Sequence, residues 1–188
     1  SGGGAGILLE SVRNSLVVNN LLHDNLARGV EINDTADAAI DDANQIFNNT
    51  IVQGSGGGYP LAVLNGTTGN AILNNILLHT GGLGSIEIDT PSLTNMQSDF
   101  NNLFGPVRLD NVPILLAAWQ SLGFEASSIS FAGGDLFVNQ EADNYDLKAD
   151  SEAIDEGRFV TGASLDIRGV SRPQGRSFDI GAYEFQTQ

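Results

Sequence analysis

Apolar and polar residues alternate in four short segments between residues 30 and 110. The segments are Val30-Glu31-Ile32-Asn33, Ala62-Val63-Leu64-Asn65, Ile86-Glu87-Ile88-Asp89 and Val107-Arg108-Leu109-Asp110. A period of two residues is typical of a strand with one buried face and not of a helix. The pattern therefore predicts short β-strands in which Val30 and Ile32 point inward and Glu31 points outward.

A second series of motifs lies between these segments, each an apolar residue followed by two asparagines. The motifs begin at Val18, Phe47, Leu73 and Phe100, at intervals of 29, 26 and 27 residues. Two interleaved series with one period predict one coil per repeat, hence a parallel β-solenoid whose coils bury apolar side chains by stacking. We expect one asparagine per coil to form a hydrogen-bonded ladder at a shared corner. The predicted members are Asn20, Asn49, Asn75 and Asn102.

The segment after the last predicted coil has a helical pattern. Leu115, Leu116, Trp119 and Leu122 recur at helical spacing, which predicts one short helix near residues 113 to 122 with Trp119 packed against the core. Aromatic residues are few, so the rest of the core is predicted to be aliphatic.

These features resemble a known family. Residues 7 to 110 are similar to the right-handed parallel β-helix repeats of the pectate-lyase-like superfamily, and the Trp119-Gln120 helix is similar to the one that follows the last coils in many of its bacterial members. The closing segment is similar too, through Asp135-Leu136-Phe137-Val138, Tyr145-Asp146-Leu147-Lys148, Ser151 to Gly157, Arg172-Pro173-Gln174-Gly175 and Asp179-Ile180-Gly181-Ala182-Tyr183-Glu184.

The resemblance implies an all-β, right-handed parallel β-helix with one short helix and an irregular closing segment. We divide the single domain into coils at residues 1–111 and a helix with closing segment at residues 112–188. The superfamily includes lyases, hydrolases, epimerases, adhesins, surface proteins and xylan-binding modules attached to glycoside hydrolases. Architecture is therefore better specified than activity.

The beginning of the chain departs from the family pattern. The first candidate strand, Ile7-Leu8-Leu9, is preceded by no amphipathic helix that would cap the first coil, although solenoid ends need protection from end-to-end association. Counting this strand gives about five coils, a stack of roughly 24 Å. We expect a flanking catalytic domain or an end-to-end contact at this coil, or else a longer enzyme of which this chain is the C-terminal portion.

Charge narrows the choice of partners. The chain has 23 acidic and 8 basic residues, for a formal net charge of -15, and no cysteine. Nucleic acid and anionic membranes require concentrated positive charge, so we expect neither as a partner. Disulfides and thiolate chemistry are excluded, while neutral glycans and cations stay open.

The outward strand positions form the candidate ligand face. One predicted column holds Glu31, Val63, Glu87 and Arg108, and a second holds Asn33, Asn65, Asp89 and Asp110. Carboxylates, amides and one arginine spaced by about 4.8 Å suit the hydroxyl groups of an extended glycan, although a solvated sheet face has the same composition. Tyr59, in a glycine-rich loop predicted to be exposed, is the candidate for stacking on a sugar. The predicted ligand-binding residues are Glu31, Asn33, Tyr59, Asn65, Glu87, Asp89, Arg108 and Asp110.

Calcium is the one cofactor that the sequence leaves open. Asp34, Asp37, Asp41 and Asp42 lie in the longest insertion between coils, and calcium prefers several oxygen ligands, although acidic loops are usually only solvated.

No catalytic residue is assigned. His23 and His79 follow their asparagine pairs at different distances and need not stack, and carboxylate pairs such as Asp41 with Asp42 arise readily in so acidic a chain.

The favoured function is that of a secreted or periplasmic, non-catalytic carbohydrate-binding module for a plant-type polysaccharide such as xylan. The alternatives are the C-terminal portion of a polysaccharide lyase, glycoside hydrolase or epimerase, and a surface or adhesion solenoid. The sequence leaves the particular glycan and the oligomeric state open.

Overall fold

The computed structural model describes residues 4–34 and 42–186. Its first twelve strands are β1 (Ile7–Glu10), β2 (Leu16–Val18), β3 (Leu21–His23), β4 (Val30–Asn33), β5 (Gln45–Phe47), β6 (Thr50–Gln53), β7 (Leu61–Leu64), β8 (Ala71–Leu73), β9 (Ile76–His79), β10 (Ile86–Ile88), β11 (Gln97–Asp99) and β12 (Asn102–Phe104). They are followed by β13 (Val107–Leu109), β14 (Val112–Ile114), helices α1 (Leu116–Ser121) and α2 (Gly133–Leu136), β15 (Phe137–Asn139) and β16 (Asn144–Leu147). Two 3-10 helices cover Thr90–Leu93 and Gln140–Ala142.

The strands stack into three parallel sheets, which confirms the predicted β-solenoid. Sheet A has the order β1-β4-β7-β10-β13-β14, sheet B has β11-β8-β5-β2, and sheet C has β12-β9-β6-β3. Each coil supplies one strand to each sheet. There are about four turns rather than five, because β13 starts a fifth coil and β14 folds back antiparallel to it.

The inward positions of sheet A follow the predicted alternation with one correction. Val30 pairs with Leu61, and Ile32 pairs with Val63. All four are buried in the main core cluster. Strand β7 starts at Leu61, so Val63 points inward and not outward as predicted. The prediction is wrong by one residue because Ala62, Val63 and Leu64 are all apolar, so the alternation does not determine which of them point inward.

The asparagine ladder is present, and its fourth member is Asn101. The side-chain Nδ2 of Asn20 donates to Asn49 Oδ1 at 2.9 Å, Asn49 to Asn75 at 3.0 Å, and Asn75 to Asn101 at 3.1 Å. The prediction of Asn102 was wrong because Asn102 pairs with Ile76 as a strand residue. The ladder ends at the buried carboxylate of Glu125, which accepts from Asn101 Nδ2 at 3.1 and 3.0 Å.

The first asparagine of the pairs has a separate role. Asn19, Asn48 and Asn74 adopt left-handed backbone conformations at the corner before the ladder residue, a conformation that asparagine tolerates well. Their amides face the C-terminal strap, which we define as residues 151–186. The Nδ2 atoms of Asn19, Asn48 and Asn74 donate to the carbonyls of Leu165 at 2.6 Å, Asp179 at 3.1 Å and Arg158 at 2.7 Å.

Trp119 lies in the core, as predicted, and is stacked on Phe124 with ring centroids 4.8 Å apart. The helix is shorter than predicted, and Leu115 and Leu122 are exposed. A single turn and a half of helix presents only Leu116 and Trp119 to the coil end. Among the described residues, no helix has the length and apolar character needed to cross a membrane.

Candidate functional site

The outer face of sheet A places several of the predicted ligand residues in one row. Glu31 pairs with Ala62, Ala62 with Glu87, and Glu87 with Arg108. Ala62 therefore occupies the place that the sequence assigned to Val63. Adjacent positions in this row are separated by one inter-strand spacing, about 4.8 Å.

Arg28 joins the two carboxylates of the row. It lies in the loop before β4, and its Nη2 and Nε donate to Glu87 Oε2 at 2.6 and 3.0 Å, while Nη1 donates to Glu31 Oε2 at 3.3 Å. The small side chain of Ala62, between the two glutamates, leaves room for the guanidinium to cross. Partial burial by itself lowers the pKa of Arg28, but the hydrogen bonds and charges of Glu87 and Glu31 outweigh it and raise the pKa. The face is therefore a fixed array of paired charges.

Arg108 ends the row and contacts Tyr59. Its Nη1 donates to the Tyr59 hydroxyl at 3.2 Å, while its Nε is buried and forms no hydrogen bond with the described residues. Tyr59 is only 5% exposed, so the prediction of an exposed loop was wrong. Its ring packs close to Gly84, where a Cβ atom would lie 3.3 Å from Tyr59 Cε1. No open ring face is left on which a sugar stacks.

The second predicted column forms a chain of hydrogen bonds along the edge of this face. Asn65 Nδ2 donates to Asn33 Oδ1 at 2.6 Å, and Asn65 N donates to Asp89 Oδ2 at 2.6 Å. Asp89 caps the 3-10 helix at Thr90. Asp110 accepts from the Thr90 hydroxyl and backbone N–H, which lowers the pKa of Asp110. These hydrogen bonds connect the polar side chains of the edge to one another and to the neighbouring backbone.

The predicted calcium loop is only partly within the described residues. Asp37 and Asp41 lie outside them. Asp34 accepts from Ser11 Oγ at 2.8 Å, and Asp42 accepts from Thr68 N at 3.1 Å, with Arg13 Nε 3.8 Å away. Calcium binding at this loop stays a prediction.

The two histidines are apart in register, as predicted. His23 pairs with Val52, and His79 pairs with Gln53. His79 is buried, and its Nδ1 accepts from Gly81 N at 3.1 Å and Leu83 N at 3.2 Å, which is a structural role. His23, Asp24 and Asp143 bring ligand atoms within 4.8 Å of one another at the surface, but exposed acidic groups are common without a metal.

Sequence reasoning missed a groove on the outer face of sheet B. It has a volume of 490 Å³ and lies between the strands and residues 158–161 of the strap. Gln45, Ala71 and Gln97 stand in one outward row on its floor, and Phe159 lines it while being 70% exposed. The only signal in the sequence is the outward parity of two glutamines that lie two coils apart.

A second cavity, of 480 Å³, lies between β16 and the end of the strap. Its charged groups are already paired within the protein. Arg168 forms an ion pair with Asp146 and lies 4.9 Å from the centroid of the Tyr183 ring, and Asp166 accepts backbone N–H groups of Arg168, Val170 and Glu184. These contacts hold the end of the strap against β16, which is a structural role.

Comparison with known proteins gives no assignment. No protein-family model matches the chain, and neither the curated proteins nor the solved structures yield a significant match. The parallel β-solenoid therefore stands on the structure itself.

Proposed function

We propose that this protein is a non-catalytic carbohydrate-binding module of pectate-lyase-like, right-handed β-helix type, which binds a plant-type polysaccharide such as xylan through the outer face of sheet A. The observation that carries the proposal is the Arg28 bridge, which fixes Glu31 and Glu87 on a rigid parallel sheet. A preformed array loses little conformational entropy when a ligand binds.

The chemistry of the row suits sugar hydroxyls. A carboxylate accepts hydrogen bonds and a guanidinium donates them, so Glu31, Glu87 and Arg108 offer both kinds of partner at a repeat set by the coils. Hydrogen bonds to charged groups contribute about 1.5 to 3 kcal/mol each. An extended chain of hydroxyl-bearing rings lying along the stack meets one such group in most coils.

The same geometry favours binding over cleavage. A glycosidase needs one carboxyl group that gives a proton to the leaving oxygen. Glu31 and Glu87 instead both accept hydrogen bonds from one guanidinium, which is permanently charged. Neither is placed as a proton donor. A secreted or periplasmic location and a flanking catalytic domain belong to the same proposal.

Affinity electrophoresis in xylan-containing gels tests the proposal. We expect retardation of the wild-type protein and a loss of about ten- to a hundredfold in affinity for Glu87→Ala, the size of one charge-assisted hydrogen bond. Asp150→Ala is the matched control, because it also removes one carboxylate but the side chain is 85% exposed in the C-terminal part. Unchanged melting temperatures establish that the variants are folded.

Incubation of the same samples with pectate, alginate and xylan, with and without calcium, tests cleavage. Retardation without unsaturated uronates or new reducing ends supports a binding module. Release of product that a sheet A substitution abolishes would establish an enzyme instead, and absence of retardation with every glycan would reject the proposal.

A further inference from the structure

The groove on the outer face of sheet B, which we call the sheet B groove, is lined by an exposed aromatic side chain, Phe159. The candidate aromatic side chain beside sheet A, Tyr59, is buried instead. Its floor is the row Gln45, Ala71 and Gln97, and its wall is formed by residues 158–161. We infer that it is a second glycan subsite, in which Phe159 stacks on a sugar ring while Gln45 and Gln97 hydrogen-bond its hydroxyls. This inference rests on the proposed carbohydrate-binding function and names a different site and ligand preference for it.

Phe159 is held in place although its side chain is exposed. The preceding residue, Arg158, is fixed to the coils, because its N–H donates to Asn74 Oδ1 at 3.0 Å and its carbonyl accepts from Asn74 Nδ2 at 2.7 Å. The following residue, Val160, is buried in a cluster with Phe178. The Phe159 ring contacts the Phe178 ring edge to face, with centroids 5.6 Å apart.

A large aromatic side chain that stays 70% exposed between two anchored residues is a preformed apolar platform. Aromatic rings gain stability from contact with flat apolar surfaces, and the ring faces of pyranoses offer rows of C–H groups. A ring already held by Phe178 loses little freedom on binding. This platform has the role that the sequence had assigned to Tyr59.

The two glutamines supply the polar contacts. Both are exposed, and their side chains form no hydrogen bond with the described residues. Each amide both donates and accepts, which matches a hydroxyl group. They stand two coils apart, roughly 10 Å at the inter-strand spacing, and the small side chain of Ala71 lies between them. A sugar chain that crosses Ala71 in the sheet B groove therefore reaches both glutamines.

The charge of the groove selects among glycans. The protein carries a net charge of -15, yet the described residues that line the groove include no carboxylate, and their one ionisable side chain is Arg158. The outer face of sheet A, with Glu31 and Glu87, disfavours an acidic sugar. We therefore assign to the sheet B groove a xylan-type chain that carries a uronate substituent, with the carboxylate near Arg158.

Titration calorimetry with xylo-oligosaccharides, with and without a glucuronate side group, tests this assignment. Phe159→Ala should weaken binding of both about tenfold, the ratio that corresponds to 1.4 kcal/mol, while Phe159→Trp should preserve it. Phe104→Ala, which removes another partly exposed phenylalanine on β12, is the matched control and should leave affinity unchanged. Arg158→Gln should abolish the preference for the glucuronate-bearing chain.

The outcomes separate this site from the outer face of sheet A. If Phe159→Ala binds like wild type while Glu87→Ala loses binding, the groove is rejected and the proposed function stands. If Phe159→Ala alone loses binding, the groove is supported and the sheet A face is rejected as the ligand site. If the wild type binds neither oligosaccharide, both this inference and the proposed function fail.

Discussion

The stacked coils and the C-terminal strap are held by polar contacts of different kinds. In the coils, one arrangement recurs at every level, as in the ladder from Asn20 through Asn49 and Asn75 to Asn101. Asn20, Asn49 and Asn75 each donate to the ladder member in the next coil, and Asn75 also donates to the carbonyls of Ile46 at 2.7 Å and Leu73 at 3.0 Å.

The strap depends on one charged centre, a fully buried ion pair that has no counterpart in the described part of the chain. Arg172 and Glu184 are fully buried side chains whose Nη1 and Oε2 atoms lie 2.8 Å apart. Arg172 also donates to the carbonyls of Asp179 at 3.2 Å and Gly181 at 2.9 Å, and Glu184 accepts from Gln174 N at 2.8 Å. Burial raises the pKa of Asp179, beside this pair, to about 6.

The two arrangements differ in how strongly a single substitution should destabilise them. A ladder spreads its hydrogen bonds over several equivalent amides, so the loss of one leaves the others in place. A buried ion pair has no substitute, because removing one partner leaves the other charge in a medium that does not solvate it.

The largest effect should come from breaking that pair. We expect Arg172→Leu to lower the free energy of unfolding by about 3 to 5 kcal/mol, because Glu184 then stays buried without a counter-charge. Urea unfolding followed by circular dichroism measures the change. Arg176→Ala is the control: its ion pair with Asp155 is at the surface, with the arginine side chain 86% exposed, and it should cost less than about 1 kcal/mol. A loss for Arg172→Leu no larger than this control would show that the strap does not depend on the ion pair.

An intermediate effect should follow from interrupting the ladder. Asn75→Ala removes three donated hydrogen bonds and takes away the side-chain acceptor of the buried Asn49 backbone N–H. We therefore expect a loss of about 1 to 3 kcal/mol. Asn20→Ala should cost less, since this terminal member is only partly buried and has one ladder neighbour. The two variants are compared by denaturant titration, and equal losses would contradict the view that the ladder is strongest at its centre.

We expect the smallest effect in the pH dependence of the unfolding free energy, because the buried Glu125 carboxylate becomes neutral when it binds a proton. Burial raises the pKa of Glu125 above its ordinary value of 4.5, against hydrogen bonds from Ser128, Ser98 and Asn101 that lower it. A raised pKa in the folded state contributes stability that is fully present below about pH 4.5 and is lost as the pH rises through the folded-state pKa. Glu125→Gln should therefore lose less stability than wild type between pH 4.5 and pH 7. Identical pH slopes in the two proteins would contradict a raised pKa.

The sequence predicted the elements whose residues follow a clear period and failed where that period is ambiguous or absent. The solenoid, three of the four ladder asparagines and the burial of Trp119 follow from periodicity. The register of β7 could not be predicted, because Leu61, Ala62, Val63 and Leu64 are all apolar. Alternation of apolar and polar residues therefore does not show which of them point inward. The fourth motif was misaligned because Phe100, not an asparagine, holds the left-handed corner there.

The candidate sites were harder to predict than the fold for the same reason. Arg28 lies outside every strand, and its reach to Glu87 spans 59 residues of sequence. Phe159 faces the coils only because the strap returns along them. Glu125 ends the ladder from a loop that shares no periodicity with it.

The hydrogen bonds between strap and coils also match the spacing of the first three coils. The strap meets Asn74 of the third coil through Arg158, Asn48 of the second through Asp179, and Asn19 of the first through Leu165. The positions of its three contacts therefore have to match the spacing between these coils. A chain with one coil inserted between β6 and β9 would displace Asn74 from Asn48 by a full inter-strand spacing, about 4.8 Å, and the same strap would no longer match both. Growth of this solenoid by duplication of a coil within the span of these three contacts would require a longer strap at the same time.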